Sequence, residues 1–323
     1  MILAPWLLEP WRQLQARRAG DRLPHALLLA APAGLGKRAL GKALQASMLC
    51  ETPQTEGFAC GRCRGCLLLA AGSHGDAITV TFGLRDDGKP RTEIVVDQIR
   101  ALCERFAQTS ARGGWRVALI DPADALNHNA ANALLKTLEE PDPGAMIILV
   151  ADAMAQLPAT IRSRCQRIEI LAPARAAALA WLTAQGVAAS DATAMLDLAD
   201  GNPGEALALA APEMRRIVST LVSDLGAVAD GKELAPIATR WADEHAELRL
   251  RTMARLMTAA MRHRGVPADS DLGRVAAMTA RADFRKLSQC WDRLNWSRGQ
   301  LDTPLRSDLL ILDTLVSFRD ALG

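Results

Sequence analysis

Aromatic residues and charge of one sign are both scarce in this chain. The 323 residues include no tyrosine, and phenylalanine and tryptophan together make up 4% of them. A surface that binds single-stranded nucleic acid by base stacking needs aromatic side chains. The 38 lysine and arginine residues are scattered among 36 acidic residues and leave a net charge of only +2. The composition therefore argues against an autonomous nucleic-acid binder, and we expect any DNA contact to be shared with partner proteins.

Long hydrophobic runs are also missing. No run of 18 apolar residues occurs, so no membrane span is expected. The opening segment, MILAPWLLEPWRQLQ, has no basic region and is soon interrupted by proline and charge, which argues against a signal peptide. We therefore expect a soluble, cytoplasmic protein whose thiols stay reduced.

The chain is longer than a single hydrophobic core usually serves, which predicts two or three domains. In residues 1–170, short apolar runs alternate with amphipathic stretches, a pattern typical of an α/β domain with a parallel sheet flanked by helices. Breakers then predict three short helices in a small domain over 171–211, and a separate bundle of four or five helices over 212–323. The predicted elements are strands at 25–30, 77–82, 115–120, 145–150 and 166–170, a helix from 96 to about 110, an exposed turn or hairpin at 85–92 and a loop at 265–271.

A degenerate phosphate-binding loop, APAGLGKR at Ala31–Arg38, follows the first predicted strand and begins a helix. In an intact GxxxxGK[ST] loop, backbone N–H groups and the lysine bind phosphates, and the hydroxyl holds Mg²⁺. Gly34, Gly36 and Lys37 are present as candidate phosphate-binding residues, but alanine replaces the first glycine and Arg38 replaces the hydroxyl. Because arginine cannot coordinate a cation, the loop is unfit for hydrolysis, and the sequence leaves nucleotide binding open.

The strand at 115–120 is followed by Asp121, at the position of a Walker B aspartate. The next residue, where a hydrolysing enzyme carries a glutamate that orients water, is Pro122. Arg38 and Pro122 together remove the hydroxyl ligand of the metal and the water-positioning carboxylate. The alternative is an autonomous ATPase or small-molecule kinase, with Lys37 and Asp121 as its minimum machinery.

Four cysteines have the spacing C-x9-C-x2-C-x2-C, with Gly61 and Gly65 predicted to supply tight turns between them. Four thiolates in such an arrangement predict a closed, structural Zn²⁺ site without an open position for catalysis. Disulfides and a redox CxxC are the alternatives, and neither suits a four-thiol cluster in a reducing compartment. Cys103 and Cys290 fall in apolar helical patterns and are predicted to lie in the core. The predicted ligands of one zinc ion are Cys50, Cys60, Cys63 and Cys66.

Two further motifs are NALLKTLEEP at 132–141 and Ser163-Arg164-Cys165, which follows LPATI. With the cysteine cluster and the defective loop, they resemble the clamp-loader branch of the AAA+ ATPases, the family of bacterial DNA polymerase III clamp-loader subunits. The resemblance implies that Arg164 is an arginine finger, acting in trans on the ATP site of a neighbouring subunit. The alternative is an arginine that pairs with an internal carboxylate. A second family arginine, which touches nucleotide in cis, is replaced by glycine in the segment Gly201–Gly204.

The resemblance also implies an assembly. The chain would be a non-hydrolysing, stationary subunit of a pentamer that contains gamma/tau motor subunits and a delta subunit and loads a sliding clamp onto primed DNA during replication. Its small helical domain would be a lid, and its C-terminal domain part of an oligomerisation collar. A zinc-dependent DNA-binding module is a third possibility, which the near-neutral charge disfavours.

The helix that carries NALLKTLEEP is amphipathic, whatever its function. Its apolar face predicts that Leu134, Leu135 and Leu138 pack on the sheet. The resemblance implies that its polar residues face a neighbouring subunit, and these residues are Lys136, Glu139 and Glu140.

Overall fold

The computed structural model describes residues 3–323 except 86, 109, 111–113, 263–269, 281 and 302. The chain folds into two compact units, residues 1–173 and 174–323. Within the described ranges, no helix has the length and apolar character needed to cross a lipid bilayer.

The first unit contains a five-stranded sheet with the order β2-β3-β4-β1-β5, and all of its strand pairs are parallel. Every predicted strand is confirmed, with ends that differ by no more than two residues. The three central strands are buried along their whole length, which explains their continuous apolar sequences. The strands are β1 (Ala26–Ala30), β2 (Ala77–Val80), β3 (Arg116–Ile120), β4 (Ala145–Ala151) and β5 (Gln166–Glu169).

Alternate residues of the strands enter two separate apolar cores, because successive side chains of a strand point to opposite faces of the sheet. Leu28 lies in one core with Leu134 and Leu138, which are buried, while Leu135 packs at its edge. This confirms the predicted packing of the NALLKTLEEP helix. Leu29 lies in the other core, with residues of the first two helices. The helices of this unit are α1 (Leu8–Ala19), α2 (Lys37–Leu49), α3 (Arg64–Ala70), α4 (Val96–Phe106), α5 (His128–Glu139) and α6 (Ala159–Arg162), with 3-10 turns at Pro5–Leu7, Ala123–Ala125 and Met154–Gln156.

The predicted exposed hairpin at 85–92 is present among its described residues. Leu84 and Pro90 form an isolated antiparallel bridge, and the Arg85 backbone N–H donates to the Lys89 carbonyl at 2.8 Å. Residue 86 lies outside the described residues.

The second unit is helical, with one continuous apolar core that includes Cys290, as predicted. Its three short helices before residue 212 agree with the sequence pattern, but six helices follow in the described part, where four or five are expected. The pattern misses a break because only Glu244 and His245 separate α11 from α12, and periodicity does not reveal so short a break. Most of the predicted loop at 265–271 lies outside the described residues, and a domain boundary at 211 stays a prediction. The helices are α7 (Arg175–Ala184), α8 (Ala189–Leu198), α9 (Pro203–Leu209), α10 (Pro212–Ala229), α11 (Ala235–Asp243), α12 (Ala246–Arg262), α13 (Asp271–Thr279), α14 (Phe284–Gln300) and α15 (Ser307–Leu322).

Candidate functional site

The phosphate loop connects β1 to α2, as its sequence requires. Gly34 and Gly36 have φ angles of 91° and 84°, in the left-handed region that L side chains rarely adopt. A Cβ atom on Gly36 would lie 2.8 Å from Cδ1 of Leu7, so the N-terminal segment packs directly on the loop. The Trp6 indole N–H also donates to the Leu35 carbonyl at 3.0 Å. The loop therefore has the backbone conformation of its motif, and the side chains of Trp6 and Leu7 pack against it.

The lysine of the loop is buried and already has partners. The side chain of Lys37 is 1% exposed, and its ammonium forms an ion pair with the carboxylate of Asp152. It also donates to the Pro32 carbonyl at 3.1 Å. In a working loop the lysine binds an anionic phosphate. In this chain the anion beside Lys37 is a side chain of the protein.

Arg38 connects two carboxylates at the end of the sheet. Its Nη1 and Nη2 atoms donate to the two oxygens of Asp152 at 3.0 and 2.7 Å, and its Nε lies 2.9 Å from Oδ1 of Asp121. Hydrogen bonds to Asp152 raise the pKa of Arg38. Burial tends to raise the pKa of Asp152, but hydrogen bonds and charges from Arg38 and Lys37 outweigh it and leave that pKa below its usual value. Burial raises the pKa of Asp121, although Arg38 opposes this shift.

Two cations and two carboxylates thus neutralise one another in this network. In an active site of this class, phosphate would balance the lysine, and Mg²⁺ would balance the Walker B aspartate. The guanidinium of Arg38 takes the place of a metal ion beside Asp121. Arg38 also occupies the motif position where an active loop has its metal-binding hydroxyl. Pro122, the residue after Asp121, has no side-chain group that could orient an attacking water.

Sequence reasoning identified Lys37 and Asp121 but missed Asp152. The position of Asp152 directly after a predicted strand could have indicated it, because the carboxyl ends of adjacent parallel strands form one ligand-binding edge. Only the strand order shows that β4 lies directly beside β1, with Ala30 opposite Ala151. An open cavity of about 680 Å³ lies at this edge, lined by Arg38, Asp121 and Asp152 among others.

The four predicted cysteine ligands lie together, with all their Sγ atoms within 4.8 Å of one another. The Sγ atoms of Cys50 and Cys63 are 3.9 Å apart, and those of Cys60 and Cys66 are 4.0 Å apart. A tetrahedral ion with metal–sulfur bonds of about 2.3 Å would place its ligands about 3.8 Å apart. The donor set and its spacing therefore fit one metal ion held by four thiolates.

Hydrogen bonds and burial act differently on these thiols. A hydrogen bond from the Thr52 hydroxyl, helped by two backbone N–H groups, lowers the pKa of Cys60 to about 5. Burial raises the pKa of Cys66 to about 12 and also raises that of Cys50. A metal binds the thiolate form of cysteine. The lowered pKa of Cys60 favours that form, whereas Cys50 and Cys66 must release protons to the solvent when a metal binds.

We call residues 50–70 the cysteine module, and two of its glycines, Gly61 and Gly65, have different roles. Gly61 has a φ of 75°, which agrees with the predicted turn. The turn predicted at Gly65 is not observed, because this residue lies inside α3 and packs against the end of α2. A Cβ atom there would be 2.5 Å from the Leu49 carbonyl oxygen. Gly65 is therefore needed for close packing of two backbones.

The loop between Cys50 and Cys60 packs against α1. The Trp11 and Phe58 rings stack with centroids 4.4 Å apart, and the Trp11 indole N–H donates to the Glu56 carbonyl at 2.9 Å. Arg18 donates to the Ser47 hydroxyl at 2.7 Å, and that hydroxyl donates to the Gly57 carbonyl at 2.5 Å. The cysteine module thus contacts α1 directly, and the 3-10 turn that precedes α1 contacts the phosphate loop.

The structure joins the two family motifs through an ion pair. Nη2 of Arg164 lies 2.6 Å from a carboxylate oxygen of Glu139, and Nη1 donates to the Thr160 carbonyl at 3.0 Å. The side chains of Arg164 and Glu139 remain 35% and 47% exposed. Lys136 and Glu140 are also exposed. The internal pairing considered as an alternative is therefore present, and it leaves the guanidinium within reach of solvent.

The segment Gly201–Gly204 begins α9 in the second unit. The Asn202 side chain accepts a hydrogen bond from the Glu205 backbone N–H at 3.2 Å and caps the helix. This segment presents a helix cap and no arginine at the position of the family residue.

The parallel sheet, the loop after β1 and the aspartate after β3 define a P-loop-type α/β domain. A family model described as "DNA polymerase III, delta subunit" matches residues 8–174. The DNA polymerase III subunit delta' of Pseudomonas aeruginosa is 43% identical over 178 residues, covering 55% of this chain and about half (52%) of that protein. The subunit delta' of Escherichia coli is 33% identical over 97% of this chain and 94% of its own length. The chain belongs to the family of DNA polymerase III delta' subunits, which confirms the family predicted from its motifs.

Among solved structures, a DNA polymerase III gamma subunit-related protein from Thermotoga maritima is similar, with a TM-score of 0.49 and 16% identity. The alignment covers 96% of this chain and 100% of that one.

Proposed function

We propose that this chain is a non-hydrolysing subunit of a cytoplasmic DNA polymerase III clamp loader, and that it supplies Arg164 to the ATP site of a neighbouring motor subunit. The observation that carries the proposal is a contrast within one domain. The lysine of the chain's own phosphate loop is neutralised in a network of Lys37, Arg38 and two aspartates, whereas Arg164 is partly exposed and pairs with a half-exposed carboxylate and a backbone carbonyl.

The geometry at Arg164 suits a transferable cation. An ion pair between two partly exposed side chains contributes little stability, about 0–1 kcal/mol, so Arg164 can leave Glu139 at small cost. A γ-phosphate offers more negative charge than one carboxylate and accepts two parallel hydrogen bonds from a guanidinium. In the assembled loader, Arg164 exchanges Glu139 for that phosphate and stabilises the charge that develops during hydrolysis.

The remaining assignments belong to the same proposal. The metal ion is a structural zinc held by the four cysteines, residues 171–211 form a lid and residues 212–323 form part of a collar. The partners are gamma/tau motor subunits and a delta subunit in a pentamer, which contacts the sliding clamp and primed DNA as a complex. The match to the E. coli subunit delta' over 94% of its length supports a place in a DNA polymerase III assembly, and the four clustered Sγ atoms support the metal site.

The first test is ATP turnover by a loader reconstituted from motor subunits, delta subunit and this chain, stimulated by clamp and primed DNA. We expect Arg164→Ala to lower turnover markedly with assembly unchanged. Arginine fingers supply roughly 10³ to 10⁵ in rate at the site that they complete. The fall in total turnover is smaller, because the other motor sites use arginines of other subunits.

Arg162→Ala is the matched control, since Arg162 is an exposed arginine two residues away on α6. It should leave turnover near the wild-type value. Equal turnover with Arg164→Ala and wild-type loaders of equal composition would leave Arg164 with the internal ion pair as its sole role and would refute the arginine-finger part of the proposal.

The isolated chain is expected to show no ATP hydrolysis, because Arg38 and Pro122 replace the groups that hold the metal and orient water. Phosphate release from Mg-ATP would be measured with the motor subunit as positive control. Any activity must be compared with that of Lys37→Ala prepared identically. Turnover in the wild-type chain that disappears in Lys37→Ala would contradict this expectation.

A further inference from the structure

Asp152 occupies a special position relative to the phosphate loop. It follows β4, which pairs with β1, and its carboxylate contacts both Lys37 and Arg38. The backbone N–H groups of Asp152 and Ala153 donate to one carboxylate oxygen of Asp124 at 3.1 and 2.7 Å. Asp152 is therefore fixed both through its side chain and through its backbone.

We propose that Asp152 is the internal ligand of the phosphate loop. Its carboxylate takes the place beside Lys37 that a nucleotide phosphate takes in a working loop, and this excludes nucleoside triphosphate from the chain's own site. The proposal extends the non-hydrolysing role proposed above and does not depend on Arg164.

Electrostatics favours the Asp152 carboxylate over a nucleotide phosphate as the partner of Lys37. A phosphate chain that approaches Lys37 must displace Asp152, and the displaced carboxylate would remain beside it as a like charge. Arg38 relieves only part of this repulsion, because it also pairs with Asp121 and stands in place of the hydroxyl that would hold Mg²⁺. The carboxylate is also covalently tethered to its site, so it competes at a high effective concentration. The loop still has two left-handed glycines and a buried lysine.

The test is ATP binding to the full chain by isothermal titration calorimetry, with Mg²⁺ and with EDTA. We expect the wild-type chain to bind no ATP at millimolar concentration and Asp152→Asn to bind it at least about tenfold more tightly than the wild-type limit. Binding should persist in EDTA, since no hydroxyl ligand for Mg²⁺ is restored. Adding Lys37→Met to Asp152→Asn should abolish it.

Asp97→Asn is the matched control, because it removes the same charge from an exposed carboxylate that pairs with Arg100 in the same unit. It should bind no ATP. Wild-type binding as tight as that of Asp152→Asn would overturn the proposal, and so would a folded Asp152→Asn chain that binds no ATP. Wild-type binding without hydrolysis would reject the internal ligand yet leave the non-hydrolysing role intact, so the two proposals can fail separately.

A measurement on the wild-type chain covers the case in which Asp152→Asn does not fold. Lys37 would be labelled with an acylating reagent with and without ATP, and its modification followed by mass spectrometry. We expect slow labelling that ATP does not change. Protection of Lys37 by ATP in the wild-type chain would show that phosphate displaces Asp152 and would overturn the proposal.

Discussion

Replacing Cys60 by serine is expected to release the metal ion and unfold the cysteine module, while the parallel sheet stays folded. Structural zinc contributes about 10–16 kcal/mol of apparent binding free energy in small peptides, and in such sites this energy is folding energy. The module has one short helix, α3, as regular structure, and it packs on α1 and α2 through a few contacts such as the stacked rings of Trp11 and Phe58, so the metal ion would be its main internal link. Metal content per chain and protease cleavage within residues 51–62 would be measured together.

Cys103→Ser is the control for this change. Cys103 lies on α4, is partly buried and contacts Thr137 on α5, outside the cluster. It should retain the metal and the protease resistance of the wild-type chain. A Cys60→Ser chain with unchanged metal content and cleavage would show that the thiol at this position is not a ligand. Acid should release the metal from the wild-type chain, since protons compete for the thiolates.

Asp224→Ala is expected to destabilise the helical unit by about 1–3 kcal/mol, because it leaves the buried indole N–H of Trp241 without its hydrogen-bond acceptor. The Asp224 carboxylate on α10 accepts hydrogen bonds from Arg240 at 2.5 Å and from the indole N–H of Trp241 at 2.8 Å. Arg249 on α12 is 4% exposed and lies 4.0 Å from the same carboxylate, although its nearer ionic partner is Glu244 at 3.1 Å. One side chain thus connects three helices. Guanidinium unfolding of the full chain, followed by near-ultraviolet circular dichroism of tryptophan, measures the loss.

Asp313→Ala gives the comparison for an exposed pair. Asp313 contacts Arg293, and both side chains are nearly half exposed, so its removal should cost no more than about 1 kcal/mol. Similar unfolding midpoints for Asp224→Ala and Asp313→Ala would argue against the buried network as a major source of stability.

Much of the candidate site can be predicted from the sequence. The five strands, the loop after β1, the cysteine spacing and the family motifs all depend on residues close together in sequence, and the fold or the similarity to known delta' subunits supports each of them. The helix boundaries of the second unit are harder to predict. Only two residues separate α11 from α12, and alanine and leucine at helical spacing continue through such short breaks.

By itself, the sequence determined the type of fold, the four cysteines that could share an ion and the loss of the metal-binding hydroxyl at Arg38. These are properties of local patterns and residue chemistry. Only the tertiary structure decided what Lys37 and Arg164 contact. Arg38 and Asp152 are 114 residues apart and meet because β4 pairs with β1 in the sheet. Arg164 meets Glu139 because α5 and α6 lie on one face of that sheet. Strand order and helix packing depend on the whole core, so no local pattern could show which charges neutralise one another.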